Sequence, residues 1–202
     1  MTGVGAWLTV AALIRAYTFL RSVRHIDLTD HTIPIAAGLN AEGQPVLEQV
    51  AVVPVEQPAN VFAENSAEAS ENAAEFCVER TPAFVKGLAR GDTIRFDVGS
   101  NSFFILRHSG NLAVRVFARE DMPLLLKDLV PAVEKLGGAL DFANDRLLVF
   151  SLHVSLGFKA IEALFNEHID EDVGQMWLYG NVYDPEDGQT PLNWWIPLLE
   201  ET

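Results

Sequence analysis

Two clusters of turn residues, Gly99-Ser100-Asn101 and Ser109-Gly110-Asn111, cut residues 93–118 into three apolar runs too short for helices. Thr93–Val98, Phe103–His108 and Leu112–Ala118 read as strands joined by tight Gly/Asn/Ser links, an antiparallel meander. Upstream, Val46–Val55 is strand-like, and Pro54 confines its end to an edge or terminus. Asn60–Glu64 and Glu75–Glu79 read as short strands around a small polar loop, Asn65–Ala74. Pro82 then opens a turn, Ala83-Phe84-Val85 offers an apolar anchor, and Gly91-Asp92 turns into the first meander strand.

Beyond residue 120 the apolar period lengthens. Asp121–Leu136 is predicted helical, with Asp121 as N-cap and Pro123 in the permitted first turn. Pro131 should kink or divide it, and Gly137-Gly138 ends it. Arg146–Val154 is a strand apolar on both faces, and Phe158–His168 an amphipathic helix with Phe158, Ile161, Leu164 and Phe165 on one face. Gln175–Tyr183 is the last strand. The expected class is therefore α+β: an antiparallel β-meander joined to a ferredoxin-like βαβαβ half, with an N-terminal helix. Phe84, Phe103, Ile105, Val114, Val116, Leu148, Phe150, Ile161 and Phe165 are its expected core.

Residues 1–24 form the predicted N-terminal amphipathic helix, in which Trp7, Ala11, Ile14 and Thr18 recur at helical spacing. A membrane span needs about 20 apolar residues and tolerates a charge poorly, and Arg15 interrupts this one. The arginines follow the apolar stretch instead of preceding it, which is not the order of a secretory signal. The remaining expected divisions are a turn-rich linker over 25–44, a single α+β domain over 45–185 and a C-terminal tail over 186–202.

Charge is distributed in blocks. Net charge is −14 over 202 residues, yet residues 25–79 carry ten acids and residues 160–202 another ten, and neither stretch holds a Lys or Arg. Such a field repels nucleic acid and favours basic partners or cations. The single cysteine, Cys77, cannot form an internal disulfide, which fits a reducing compartment. Flanked by Glu75 and Glu79, it reads as an inert thiol.

The segments VFAEN (61–65), PAFVKGLARGDTIRF (82–96) and LRHSGNLAVRVF (106–117), followed by Val133–Gly138 and Leu147–Phe165, resemble the family of domain of unknown function 4265. The resemblance covers roughly residues 45–185. It implies a bacterial cytoplasmic protein and names no reaction.

No catalytic set emerges, and the motifs call for no cofactor and no metal. His108 could act as a general base with Asp92 or Asp97, although Ser109 in the same turn reads more simply as a local hydrogen-bonder. His168 with Asp170, Glu171 and Asp172 matches no zinc or EF-hand spacing, Asp184–Gly188 lacks alternating calcium ligands, and Gly87–Asp92 lacks the lysine of a phosphate loop. The last strand is more informative: Trp177, Tyr179, Asn181 and Tyr183 share one face, and Met176, Leu178 and Val182 the other. With the aliphatic set inward, the aromatics would form an outer face; alternatively the tail Leu192–Ile196 would cover them. The expected partner site is Trp177, Tyr179 and Tyr183 with carboxylates Asp170, Glu171, Asp172, Asp184, Glu186 and Asp187. The function expected is a protein-binding module, in concrete form a cytosolic immunity protein neutralising a basic toxin. The alternatives are a small-ligand regulatory protein, or an enzyme built around His108.

Overall fold

The computed structural model describes residues 32–55 and 73–200. The expected helix over 1–24 and the expected strand over 60–64 lie outside the described residues.

The first sheet is a five-stranded meander in sequence order, β1 (Thr32–Leu39), β2 (Pro45–Pro54), β3 (Ala73–Val78), β4 (Thr93–Asp97) and β5 (Ser102–Arg107), all neighbours antiparallel. It curls until Ala36 N of β1 donates to Asn101 O beside β5, at 3.1 Å. Ile33, Ile35, Val50, Val52, Phe76, Ile94 and Phe96 fill its interior. The linker expected over 25–44 thus contains β1, a correction. Pro34 and Gly38 made the stretch read as turns, but β1 ends the sheet order, and an end strand tolerates a proline lacking its N–H. Asn40, taken as a turn residue, does turn the chain: its Oδ1 accepts from Glu42 N and Gln44 N.

The second sheet is antiparallel with order β7-β8-β6-β9. Its elements are β6 (Asn111–Ala118), α1 (Met122–Leu136), β7 (Ala139–Ala143), β8 (Leu147–His153), α2 (Phe158–His168) and β9 (Gln175–Tyr179). The chain is therefore α+β with two antiparallel sheets and few helices. β6 leaves the meander to which its turn spacing had assigned it, and pairs with β8 and β9. Two features account for this. Leu112–Val116 is buried on both faces, which an outer meander strand does not need. In addition, Asp92 accepts from Ser109 N (2.8 Å) and Ser109 Oγ (3.1 Å), while Asn111 Nδ2 donates to Arg90 O, tying the β5–β6 link to the turn before β4.

β7 escaped notice because it is short, carries Asp141 at its centre and bulges between Leu140 and Phe142. Helix α1 is not divided at Pro131: it runs unbroken to Leu136. Pro131 and Lys127 are both exposed, so water can serve the Lys127 carbonyl that loses its donor. Asp121 sits at the N-cap without capping through its side chain; its carbonyl accepts from Leu124 N and Leu125 N. Gly137, at φ 100°, ends the helix in the left-handed conformation, with Gly138 N donating to Val133 O.

The helices cover one face of this sheet around Leu112, Val114, Val116, Leu129, Val133, Phe150, Ile161 and Phe165. Of the expected core, Val114, Val116, Leu148, Phe150, Ile161 and Phe165 are fully buried. Phe103 and Ile105 are half-buried, and Phe84 is a correction at 54% exposed. No helix among the described residues is long and apolar enough to cross a membrane.

Candidate functional site

The sheet's other face packs on residues 81–89, and a two-sided clamp holds that segment. From β2, the Glu48 carboxylate accepts the N–H groups of Ala83 (2.6 Å), Phe84 (2.8 Å) and Val85 (2.9 Å). From β6, Arg115 Nε donates to Ala83 O (2.7 Å), and its Nη2 to Val85 O (2.6 Å) and Pro82 O (3.2 Å). Arg115 is 4% exposed, and burial lowers its pKa while Glu48 opposes the shift. Gly180 makes room for it, since a Cβ there would land on Nη1. Gly87 N adds a bond to Gly180 O at 2.8 Å.

With the clamp in place, Phe84 projects beside the outer edge of β9 and a groove of about 680 Å³ opens there. Phe84, Phe117 and Leu178 line it on one side of β9, and Glu162, Asn166, Trp177 and Tyr179 on the other. Tyr183, Asp184 and Lys86 close one end, with Lys86 Nζ held by Pro185 O. Among the described residues β9 pairs only with β6. Because Gly180 N donates to Ala113 O, ladder alternation directs the N–H and C=O of Trp177 and Tyr179 to the open edge.

The structure gathers Trp177, Tyr179, Tyr183 and Asp184 at this groove and leaves Asp170, Glu171, Asp172, Glu186 and Asp187 off its lining. Asp170 and Asp187 secure their own turns: Asp170 Oδ1 accepts from Asp172 N, and Asp187 from Gln189 N, Thr190 N and the Thr190 hydroxyl. The Thr190 hydroxyl bond is the main cause of a lowered Asp187 pKa. Of the two arrangements left open for the aromatics, Trp177 and Tyr179 turn inward while Tyr183 stays exposed. Met176 and Leu178 are exposed, whereas Trp177 and Tyr179 pack on the helix side. Trp177 stacks on Phe165 (centroids 5.3 Å) and donates Nε1–H to Asn166 Oδ1. Tyr179 meets Phe158 edge-on, and Trp195 from the tail packs on the same Phe158. Asn181 is turned inward, bonding Ala113 N and Asn111 O.

The Tyr179 hydroxyl is buried without a hydrogen-bond partner among the described residues. Burial first, then Glu162 and Tyr183, raise its pKa far above the ordinary 10.0. The folded state therefore keeps a proton that the unfolded chain sheds, and this contribution to stability falls as pH rises above about 10. Tyr179→Phe should remove that alkaline loss. At neutral pH it should raise stability by about 1 kcal/mol, since an unpaired buried hydroxyl opposes folding. Urea unfolding of both proteins at neutral and alkaline pH measures both effects.

His108 Nδ1 lies 3.6 Å from Asp92 Oδ2, so Asp92 is the carboxylate within reach. Asp97 instead accepts from Gly99 N and Ser100 N. Asp92 also holds its own turn, taking Ala89 N as well as both Ser109 donors, and the Ser109 hydroxyl shares its one proton with Arg90 O. The His108 ring stacks on Trp194 at 4.4 Å. His168 Nδ1 donates to Leu164 O within its own helix, and the Cys77 thiol donates to Gly91 O.

Sequence reasoning passed over Glu48, Arg115, Gly180, Phe84, Glu162 and Asn166 as site residues. Two of them carried a signal: Arg115 is a charge centred in the apolar run LAVRVFA, and Gly180 interrupts a strand pattern, a mark of close approach.

Among solved structures, the chain is similar to the crystal structure of a hypothetical protein from Neisseria gonorrhoeae, with TM-score 0.51 and 14% identity. The match covers 74% of this chain and 92% of the other, a likeness in fold alone. No curated protein matches. The family model described as Domain of unknown function (DUF4265) matches residues 65–176, more than half the chain. The chain belongs to that family.

Proposed function

We propose that this protein is a protein-binding module that seats a basic partner in the groove beside β9. The observation that carries the reading is the groove itself: exposed Phe84, Leu178 and Tyr183 beside an unpaired strand edge, within a C-terminal stretch that has ten acids and no Lys or Arg. Apolar surface left open beside an unpaired strand edge is surface that a partner would complete. The surrounding carboxylates would speed the approach of a basic protein, and neutralising a basic toxin in the cytosol is the concrete role this charge suits. For the β6–β9 half, the 7-8-6-9 order with two helices on one face supports a ferredoxin-like reading.

A photo-crosslinking residue at Leu178, introduced in cells that naturally make the protein, should yield a discrete adduct with a basic protein. The same residue at Leu124, exposed on α1, should not. Identical products from the two positions would place the contact outside the groove.

A further inference from the structure

We infer that the occupant of the groove is an extended segment of the partner's chain, added as a new strand to the open edge of β9 and alternating apolar with basic residues. This rests on the protein-binding reading and specifies how the partner is held.

The four terminal strands of the two sheets are not equivalent. β1 carries Pro34 and a bulge between Ala36 and Gly38, and it bends to meet the chain at Asn101 beside β5, so these two ends guard one another. β7 bulges between Leu140 and Phe142, and its central Asp141 turns inward to accept from Thr81 N and pair with Arg90. Prolines, bulges and inward charges are the devices by which edges avoid adding strands. β9 has none of them: its register with β6 is unbroken from Gln175 to Tyr179, and the sequence QMWLY holds no proline and no charge. It is also the edge along which the groove lies.

The chemistry on either side of that edge differs. A strand laid against Trp177 and Tyr179 exchanges backbone hydrogen bonds with their outward N–H and C=O groups, and its side chains point alternately to the two faces. On one face they meet Phe84, Phe117 and Leu178, which take apolar groups. On the other they meet Glu162 and Asn166. Glu162 is exposed and has no ion-pair partner among the described residues, so a Lys or Arg there gains a carboxylate.

Random peptides of about ten residues, enough for a strand with flanks, displayed against the intact protein, test this. Selected sequences should alternate apolar and basic residues. Bound peptide should slow amide hydrogen exchange at Trp177 and Tyr179, and methylating the peptide nitrogens that face the edge should weaken binding about tenfold or more. Glu162→Gln should weaken the selected peptides while leaving the fold intact. Failure to select any peptide, protection elsewhere, or indifference to N-methylation would each overturn strand addition. If the Leu178 adduct still forms in those cases, the protein-binding reading survives; if that adduct fails as well, both fall.

Discussion

Arg115→Met should lower folding stability by about 3 kcal/mol or more, a large part of what holds a domain of this size. The loss is not that of a surface charge. Arg115 is buried at the centre of β6 and supplies the donors for three carbonyls, those of Pro82, Ala83 and Val85. Methionine matches the aliphatic stem but leaves those carbonyls unpaired in a place water reaches poorly, and deprives Glu48 of the cation facing it across the segment. Arg115→Lys should recover little, because an ammonium cannot reproduce a planar fork that spans three acceptors. Urea unfolding gives the comparison: the midpoint should fall with little change in slope. A midpoint within error of the parent's would mean that the clamp is held by Glu48 alone. Since Phe84 stands on this segment, the Met variant should also lose the crosslink at Leu178.

Phe165→Ala is the second large effect expected, at about 3–5 kcal/mol, the usual range for deleting a buried aromatic ring. Phe165 is fully buried between Phe150 (centroids 5.9 Å) and Trp177 (5.3 Å), so truncation opens a cavity directly beneath the groove. The neighbours cannot close it freely, because Trp177 is fixed by its bond to Asn166 and Phe150 by the centre of β8. Thermal unfolding should drop by roughly 6–20 °C, and the tryptophan fluorescence of the folded state should shift as Trp177 loses its stacking partner. Phe165→Leu should cost much less, since it refills most of the space. An alanine variant as stable as the leucine one would contradict the tight packing seen around α2.

How much of this was legible beforehand follows from what each element is stabilised by. Local turn chemistry is written in a few adjacent residues, so the links at Gly99–Asn101 and Ser109–Asn111 and the stop at Gly137-Gly138 could be placed. Pairing depends on distant residues. The link before β6 has the same composition whether the strand continues a meander or begins a new sheet, and only the two-sided burial of Leu112–Val116, needed between β8 and β9, distinguishes them. The faces of β9 were ambiguous for a related reason. Either the aromatic or the aliphatic set could have met the helices, and the choice is made by Phe158, Phe165 and a tail tryptophan. The site carboxylates were chosen by charge density, whereas the groove is shaped by Phe84 and Arg115, whose positions depend on Glu48 in the other sheet.

Glycine at position 180 carries a message about substitution history. Its missing side chain is the space that the Arg115 guanidinium occupies. Neither residue can be exchanged alone without evicting the other or leaving a hole. The two are therefore one heritable character: lineages that keep the arginine must keep the glycine. A chain that abandons the arginine for something short is released to accept any small residue opposite. Such a chain would need another way to tether the segment carrying Phe84, and with it a differently shaped place for a partner.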